Sequence, residues 1–539
     1  DQDAGKKFFD IKVADIAMGS GHFLISAVDK IEEEFEIYRN NRPLPEVSIE
    51  LQKLRTSAKQ ILNEYGQEAY FEDGQLLRRL IAKRCIYGVD INSMAVELSR
   101  LAMWIHTFVP GLPLSFLDRN LVSGDSLSGV GTFNELKVII SNINNDEVQQ
   151  NLFPLDANSI LGDARTPLKR LALLSDSTID DVKRSKDAWN NAQDAVKPAK
   201  ALFDIIAGSR IKNSDFPLEI LDNWGESAEK LYDSKFRSEA IEGIDVEKFV
   251  HFPTVFPEVF LRENSGFDVI IGNPPWQELM VDEDGFWCLY HPGLRGMNQE
   301  DKNNKISDLR ARNPELENKY QSLLVENSNL RQALLRGPYI GMGDGDPDLY
   351  KAFAWRFLDL TNEKGYIGVV LPRDAMITSG SRYFRKAVFK NDKVTITTLT
   401  NNGGWVFSDV HQQYTIALVN ISKGISDSAR LFMKGPFNNK KDFINNFSIR
   451  GEKFSSNEVG LWNNSYSLPT LKSDGAIGIF KAMRKFPNLN YDQPESWRAK
   501  PYREFDATLD GPKKKAIFQL DYVNCPDNFW PVYKGNSID

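Results

Sequence analysis

The chain has 539 residues, enough for about three domains at roughly 150 residues each. Its hydrophobic (41%) and charged (26%) fractions are ordinary for a soluble globular protein, and no apolar run approaches the ~20 residues of a membrane span. A net charge of −8 excludes a globally basic nucleic-acid binder, so any such binding must use a local positive face.

The sequence starts at Asp1 without a Met and a core strand arrives almost at once, which suggests a piece cut from a longer protein. That strand, "IKVADIA" (Ile11–Ala17), reads as buried and parallel, and "HFLISAVDKIEEEFEIY" as the helix after it. Between them "DIAMGSG" sets Asp15, Ala17, Gly19 and Gly21 at a strand end and a helix start. Small residues let the backbone turn sharply and approach a ligand closely. The helix N-terminus offers free N–H groups to a carboxylate or phosphate. Such a corner serves a nucleotide-like ligand, or only tight strand–helix packing. Two details favour S-adenosylmethionine. The pattern is D-x-A-x-G-S-G rather than G-x-G-x-x-G. The acid precedes the glycines, where a carboxylate can meet the positively charged end of the ligand or its amino group. No Lys follows the glycines, which counts against a P-loop.

A polar helical stretch, roughly 30–80, separates this strand from "CIYGVDI" (Cys85–Ile91). Asp90, followed by Ile91, stands at that strand's carboxyl end, where an acid accepts from two ribose hydroxyls. The alternative is an N-cap acid for the helix "SMAVELSRLAMWIHTF", and one residue can do both. In "NLVSGDSL", Asp125 follows a short apolar run and suits the exocyclic amine of the cofactor's adenine, although G-D-S is also ordinary turn chemistry. A long polar, helix-rich stretch fills roughly 130–255.

"FDVIIGN" (Phe267–Asn273) is a third buried strand, and it runs into Pro274, Pro275 and Trp276. The prolines remove two donors and fix two φ angles. Ligand sites in open α/β sheets lie beyond the strands' carboxyl ends, so the glycine corner, Asp90, Asp125 and this corner should share one cleft. Methyl transfer to adenine's exocyclic amine needs a lone pair that is otherwise delocalised into the ring. Two acceptors on the amine hydrogens, the Asn273 side-chain oxygen and the Pro274 carbonyl, would localise it, and the prolines hold both still. Trp276 would stack on a base extruded from the duplex. The alternative is a rigid turn with a packing Trp.

Roughly 283–340 is helical, with Leu309, Leu316, Leu323, Leu330 and Leu334 near heptad spacing; the run is too short for a dimerising coiled coil and reads as a local helix pair. The insertions are expected to pack on one edge of the sheet. "DPDLYKAFAWRFLDLTNEKG" leads into a fourth strand, "GYIGVVLP", and "KVTITTLTN" and "QQYTIALVNIS" suggest an antiparallel edge. Alternating strands and helices indicate a doubly wound, Rossmann-like α/β sheet with helices on both faces. Beyond about residue 425, Asn, Lys, Gly and Ser become frequent, which reads as the start of a further domain, cut short at Asp539. "SRYFRKAVFK" (Arg382, Arg385, Lys386, Lys390) and "GPKKKAIF" (Lys513–Lys515) hint at a basic face or are solvated charge. Cys85, Cys288 and Cys525 lie far apart, which argues against disulfides and a structural metal and suits the cytoplasm.

With these motifs in order, the chain resembles the gamma class of amino-methyltransferases acting on DNA adenine, from about Val13 to Asn420 apart from the insertions. The resemblance implies that "DIAMGSG" is the cofactor loop, Asp90 the ribose acid and Asp125 the adenine acid, with Asn273 to Trp276 as the catalytic corner. "GGWVFSDVHQQYTIALVN" resembles the segment whose aromatic packs on the flipped adenine, with Phe407 the candidate. The insertions, the Trp form of the corner and "FWPVYKGNSID" look like the long methylases of type IIG restriction–modification, BREX and DISARM systems. That implies S-adenosylmethionine as cofactor, double-stranded DNA as substrate, other restriction or defence subunits as partners, and a bacterial cytoplasmic, nucleoid-associated setting. It divides the chain into a methyltransferase domain, 1–425, and the start of a target-recognition region, 426–539. Two departures stand out: the family's motif upstream of the glycine loop is absent, and no PD…ExK nuclease pattern is present. Rival readings keep the chemistry for RNA or protein glutamine, or keep only the fold in a non-catalytic DNA-binding subunit.

Overall fold

The computed structural model describes residues 4–486 except 68–69, 142–159, 175, 218–219, 221–230, 345–346, 409, 413, 425–429, 449–450, 463–464 and 470–473. "GPKKKAIF", Cys525 and "FWPVYKGNSID" lie outside the described residues. The chain forms two units, Asp1–Lys472 and Ser473–Asp539. The second is described over the helix Asp474–Met483 and the three residues after it.

Nine strands form the sheet of the first unit: β1 (Val13–Asp15), β2 (Ile86–Asp90), β3 (Leu121–Ser123), β4 (Phe267–Gly272), β5 (Thr361–Pro372), β6 (Lys393–Thr400), β7 (Thr415–Ser422), β8 (Arg430–Phe437) and β9 (Glu452–Ser455). Their spatial order is β3-β2-β1-β4-β5-β7-β6-β8-β9. β1 to β5 run parallel, and β7 is antiparallel to both its neighbours. β8 pairs parallel with β6, and β9 antiparallel with β8.

The doubly wound α/β sheet read from the sequence is what forms, and β2 shows why. Its side chains alternate between two buried faces. Ile86 joins a cluster with Leu24, Leu54, Leu80 and Met103 from the helices α1 (His22–Asn41), α2 (Pro45–Glu64), α3 (Asp73–Cys85) and α4 (Ser93–His106). Tyr87 points the other way, edge-on to Phe256 at 5.2 Å and tilted against Phe267 at 5.6 Å. Each such apolar side chain gains about 1.5–3 kcal/mol on burial. A one-residue slip would exchange the two faces, so the register is fixed.

The antiparallel strand β7 differs from the expectation of an edge. It lies between β5 and β6, and both of its hydrogen-bonding sides are used, Ile416–Ser422 by β5 and Thr415–Ser422 by β6. The sheet's edges are β3 and β9. The change of texture near residue 425 coincides with no break in the sheet, which continues into β8. Among the insertions, α5 (Lys197–Lys212) packs along α7 (Pro314–Arg336), which also pairs with α6 (Gln299–Arg312). Leu309 and Leu316 join a small cluster with Trp287 and Tyr320, and Leu334 is buried. Leu323 and Leu330 instead line a cavity at the sheet. An insertion expected along an edge therefore helps to wall a site. Its apolar face is wider than the heptad seam requires, so α7 covers more than its helix partner.

Candidate functional site

Beyond the carboxyl ends of β1, β2, β3 and β4 lies a cavity of about 780 Å³. Ala17, Asp90, Ile91, Asp125, Asn273 and Pro275 line it, so stretches far apart in sequence meet there as expected for this sheet type. Asp15, Gly19, Gly21, Pro274, Trp276 and Phe407 are not among its lining residues.

Asp15 ends β1 and is 1% exposed. Its Oδ1 accepts from the Ala17 N–H at 3.0 Å, while Oδ2 has no partner among the described residues. Burial raises this carboxyl to about 7; the Ala17 N–H opposes the shift and the nearby Asp90 charge adds to it. Gly272, at the end of β4, has φ +149°, and a Cβ there would stand 2.5 Å from Asp15 Oδ1. Only glycine lets the two strand ends approach this closely. Gly19 and Gly21 are left-handed (φ +54° and +83°), and Gly21 caps α1. The Gly19 N–H donates to Asp90 Oδ2 at 2.9 Å, and the Ser99 hydroxyl donates to the Gly19 carbonyl at 2.7 Å. The glycine corner is thereby tied to β2 and α4.

Asp90 Oδ1 accepts from the Asn92 N–H at 2.9 Å. Asp90 is not the helix cap considered from sequence. That role falls to Asn92, whose side chain accepts from the N–H groups of Met94 (3.0 Å) and Ala95 (3.4 Å), because the helical turns begin two residues later. Each Asp90 oxygen keeps a second lone pair for a ligand. Ile91 beside it is 65% exposed, an apolar surface at the cavity rim. Asp125 accepts from the Leu127 N–H (2.9 Å) and the Ser128 hydroxyl (2.5 Å), so it does also perform turn chemistry.

The loop after Asp125 is held by residues that the sequence reading missed. Tyr339 donates to the Leu127 carbonyl at 2.6 Å. Arg356, on α8 (Leu349–Leu360), donates to the carbonyls of Leu127 (3.0 Å) and Gly129 (2.8 Å) and pairs with Glu135 at 2.7 Å. His251 Nδ1 accepts from the Val130 N–H at 3.0 Å, and its Nε2 lies 3.0 Å from Asp204. Burial lowers the His251 pKa, with Asp204 opposing. One signal was available: Arg356 is a charge set among the apolar positions Phe353, Phe357 and Leu360.

At the proline corner, Asn273 Oδ1 is buried and has no partner among the described residues. An unpaired buried acceptor costs about 1–3 kcal/mol, so it calls for a ligand or a function. Trp276 donates from Nε1 to the Val370 carbonyl at 3.3 Å. Phe407 meets it edge-on, with centroids 5.8 Å apart, and Tyr414, which sequence reasoning missed, lies nearly parallel to it (17°) at 5.9 Å. The two residues read as base-stacking candidates are thus neighbours.

The stretch "SRYFRKAVFK" is only partly a basic face. It forms α9 (Arg382–Asn391), whose inner side carries Phe384, Arg385, Val388 and Phe389. Arg385 is fully buried and donates to the carbonyls of Ala375, Thr378 and Ser465, while Arg382 pairs with Asp344 at 3.0 Å. Lys386 and Lys390 are exposed. Among the described residues no His/Cys/Asp/Glu group could hold a metal, and no helix is long and apolar enough to cross a membrane.

The cavity joins two carboxylates with spare lone pairs, Asp90 and Asp125, to an apolar rim, a lining suited to a ligand with hydroxyl and amine hydrogens to donate. Residues 84–309 match the family model of the Eco57I restriction-modification methylases. A candidate type II restriction enzyme and methyltransferase of Methanocaldococcus jannaschii is 28% identical over 294 residues, 50% of this chain and 22% of that protein. The chain therefore spans about a fifth of that relative's length. Among solved structures, a modification subunit of a type I restriction enzyme from Vibrio vulnificus aligns over 84% of this chain and 52% of its own (TM-score 0.34, 11% identity). The DrdV–DNA complex aligns over 82% and 27% (TM-score 0.33, 12% identity).

Proposed function

Proceeding from the match of residues 84–309 to the Eco57I restriction-modification methylases, we propose that the chain is the adenine-methylating part of a restriction–modification or phage-defence enzyme. The observation that carries the reading is the buried, unpaired Asn273 Oδ1 in a cavity that also holds Asp90 and Asp125.

S-adenosylmethionine, when bound, supplies a methyl group on a positively charged sulfur. Asp90 accepts from the ribose hydroxyls and Asp125 from the adenine amine, with Ile91 as apolar cover. Asp15, Ala17 and the turn at Gly19 and Gly21 take the amino-acid end. On the substrate side, Asn273 Oδ1 and the Pro274 carbonyl accept from the two hydrogens of the target adenine's 6-amino group. That favours a tetrahedral nitrogen and localises its lone pair. Pro274 and Pro275 keep both acceptors fixed, so no reorganisation accompanies the step. Trp276 and Phe407 stack on the extruded base. The methyltransferase domain runs to about residue 425 and residues 426–539 open a target-recognition region, whose first strands, β8 and β9, extend the methyltransferase sheet. Double-stranded DNA and other subunits of the same system are the partners, in the bacterial cytoplasm.

The test incubates the full-length protein with labelled S-adenosylmethionine and, separately, duplex DNA, RNA or release-factor protein. Label on DNA adenine is expected. Label in RNA or in protein glutamine alone would move the chemistry to another substrate, and cofactor binding without any transfer would favour a non-catalytic subunit. Asn273→Ala should cut transfer to DNA by about a hundredfold or more, with cofactor affinity nearly unchanged.

A further inference from the structure

The segment that carries Phe407 packs Trp405, Val406 and Phe407 on Leu399, Ile416 and Phe437 and is tied at its base by one buried side chain. It follows β6, contains Gly403 and Gly404 at φ +69° and +72°, and most of its residues are half-buried or exposed. Its anchor is Asn401, which is 0% exposed. Asn401 Oδ1 accepts from the N–H groups of Val406 (3.1 Å) and Phe407 (3.0 Å). Its Nδ2 donates to the carbonyls of Phe407 (2.9 Å) and Val410 (3.0 Å). A carboxamide has two donor hydrogens and two acceptor lone pairs, and all four are used. Phe407 is gripped at both its N–H and its carbonyl. The Asn401 backbone N–H also donates to the Tyr414 carbonyl at 2.9 Å. One residue therefore sets the backbone beneath both rings that touch Trp276.

We propose that Asn401 is a positioning residue for base extrusion, holding Phe407 and Tyr414 against Trp276 as a preformed wall for the target base. This rests on reading the site as a base-extruding methyltransferase. Only a carboxamide of this size satisfies two N–H groups and two carbonyls at once. A carboxylate there would face the Phe407 and Val410 carbonyls with no hydrogen to offer, so the loop should open while β6 and the cavity keep their contacts.

The experiment uses the full-length protein with two duplexes: one carries 2-aminopurine at the mapped target position, whose fluorescence rises on unstacking, and one carries adenine there as the methyl acceptor for KM and kcat. Wild type, Asn401→Asp, Phe407→Ala and the double variant are compared for fluorescence, DNA KM, kcat and cofactor affinity. Each single variant should lower the extruded fraction and kcat/KM by about five- to 150-fold, as for loss of one base–aromatic stack, with cofactor affinity unchanged. The loss in the double variant should fall clearly short of the sum of the two single losses, because Asn401 acts in large part through the Phe407 ring. Should Asn401→Asp not fold, Asn401→Ser, which keeps one donor and an acceptor, takes its place in the cycle. Additive losses, or an Asn401 variant that extrudes the base normally, overturn the inference while leaving the methyltransferase reading intact. A wild-type protein that transfers nothing to DNA overturns both.

Discussion

Two oxygens without partners among the described residues, Asp15 Oδ2 and Asn273 Oδ1, mark opposite ends of the proposed chemistry. Asp15 is the unusual one. Its carboxyl is raised by burial to about 7 from an ordinary 3.8. The folded state therefore binds a proton over that interval which the unfolded chain releases. The contribution to stability runs against the usual acid: it falls as pH rises from about 4 to about 7. A cationic ligand reverses the preference, since it favours the ionised form. Cofactor affinity should then climb by up to about tenfold per pH unit below 7 and level off above it. Calorimetric titration across about pH 5.5 to 8, which brackets the raised carboxyl, tests this; Asp15→Asn should flatten the curve. The acid's identity was legible from "DIAMGSG", but its missing partner was not. Both oxygens are buried, and that only one of them finds a partner depends on the packing of β4 beside β1.

At the level of elements, the strand end β4 decides that approach. Gly272 in "IIGNPP" reads as one more apolar-strand residue until β1 is beside it. Gly272→Ala would place a methyl group against the Asp15 carboxylate at a φ that L-residues avoid. It should cost about 1–3 kcal/mol of stability and weaken cofactor binding through Asp15, read by urea denaturation and calorimetry on the same preparation. Helix α4 teaches a similar lesson. "DIN" offers two good capping residues on either side of Ile91, and the sequence cannot say which one the first turn selects. The fold settles it on Asn92, leaving Asp90 to join the glycine corner.

On the scale of the whole molecule, the insertions are part of the site. Glu135 lies within the polar stretch after Asp125 and is paired with Arg210 at 2.6 Å and Arg356 at 2.7 Å. Burial alone would raise its carboxyl; the two guanidiniums and the Gly131 N–H outweigh that and hold it at about 2. The stability it lends is present above its ordinary 4.5 and is lost as pH falls towards 2. Glu135→Gln leaves the buried Arg356 and the partly buried Arg210 under-compensated and should cost about 3–5 kcal/mol, while removing that acid-sensitive part of the denaturation profile. The sequence by itself determined the parallel strands, the glycine and proline corners and the order of the acids. These are local properties: apolar runs, backbone freedom and strand-end chemistry are written in consecutive residues. Only the tertiary structure decided that β7 lies inside the sheet, that α7 walls the cavity, that Arg385 faces inward, and that Asn401 and Arg356 hold the loops. Apart from the grip of Asn401 on Val406, Phe407 and Val410, each of those is a pairing between segments far apart in the chain. It depends on which hydrogen-bonding edge or buried face is left open once the other elements have packed, and no stretch of sequence carries that information alone.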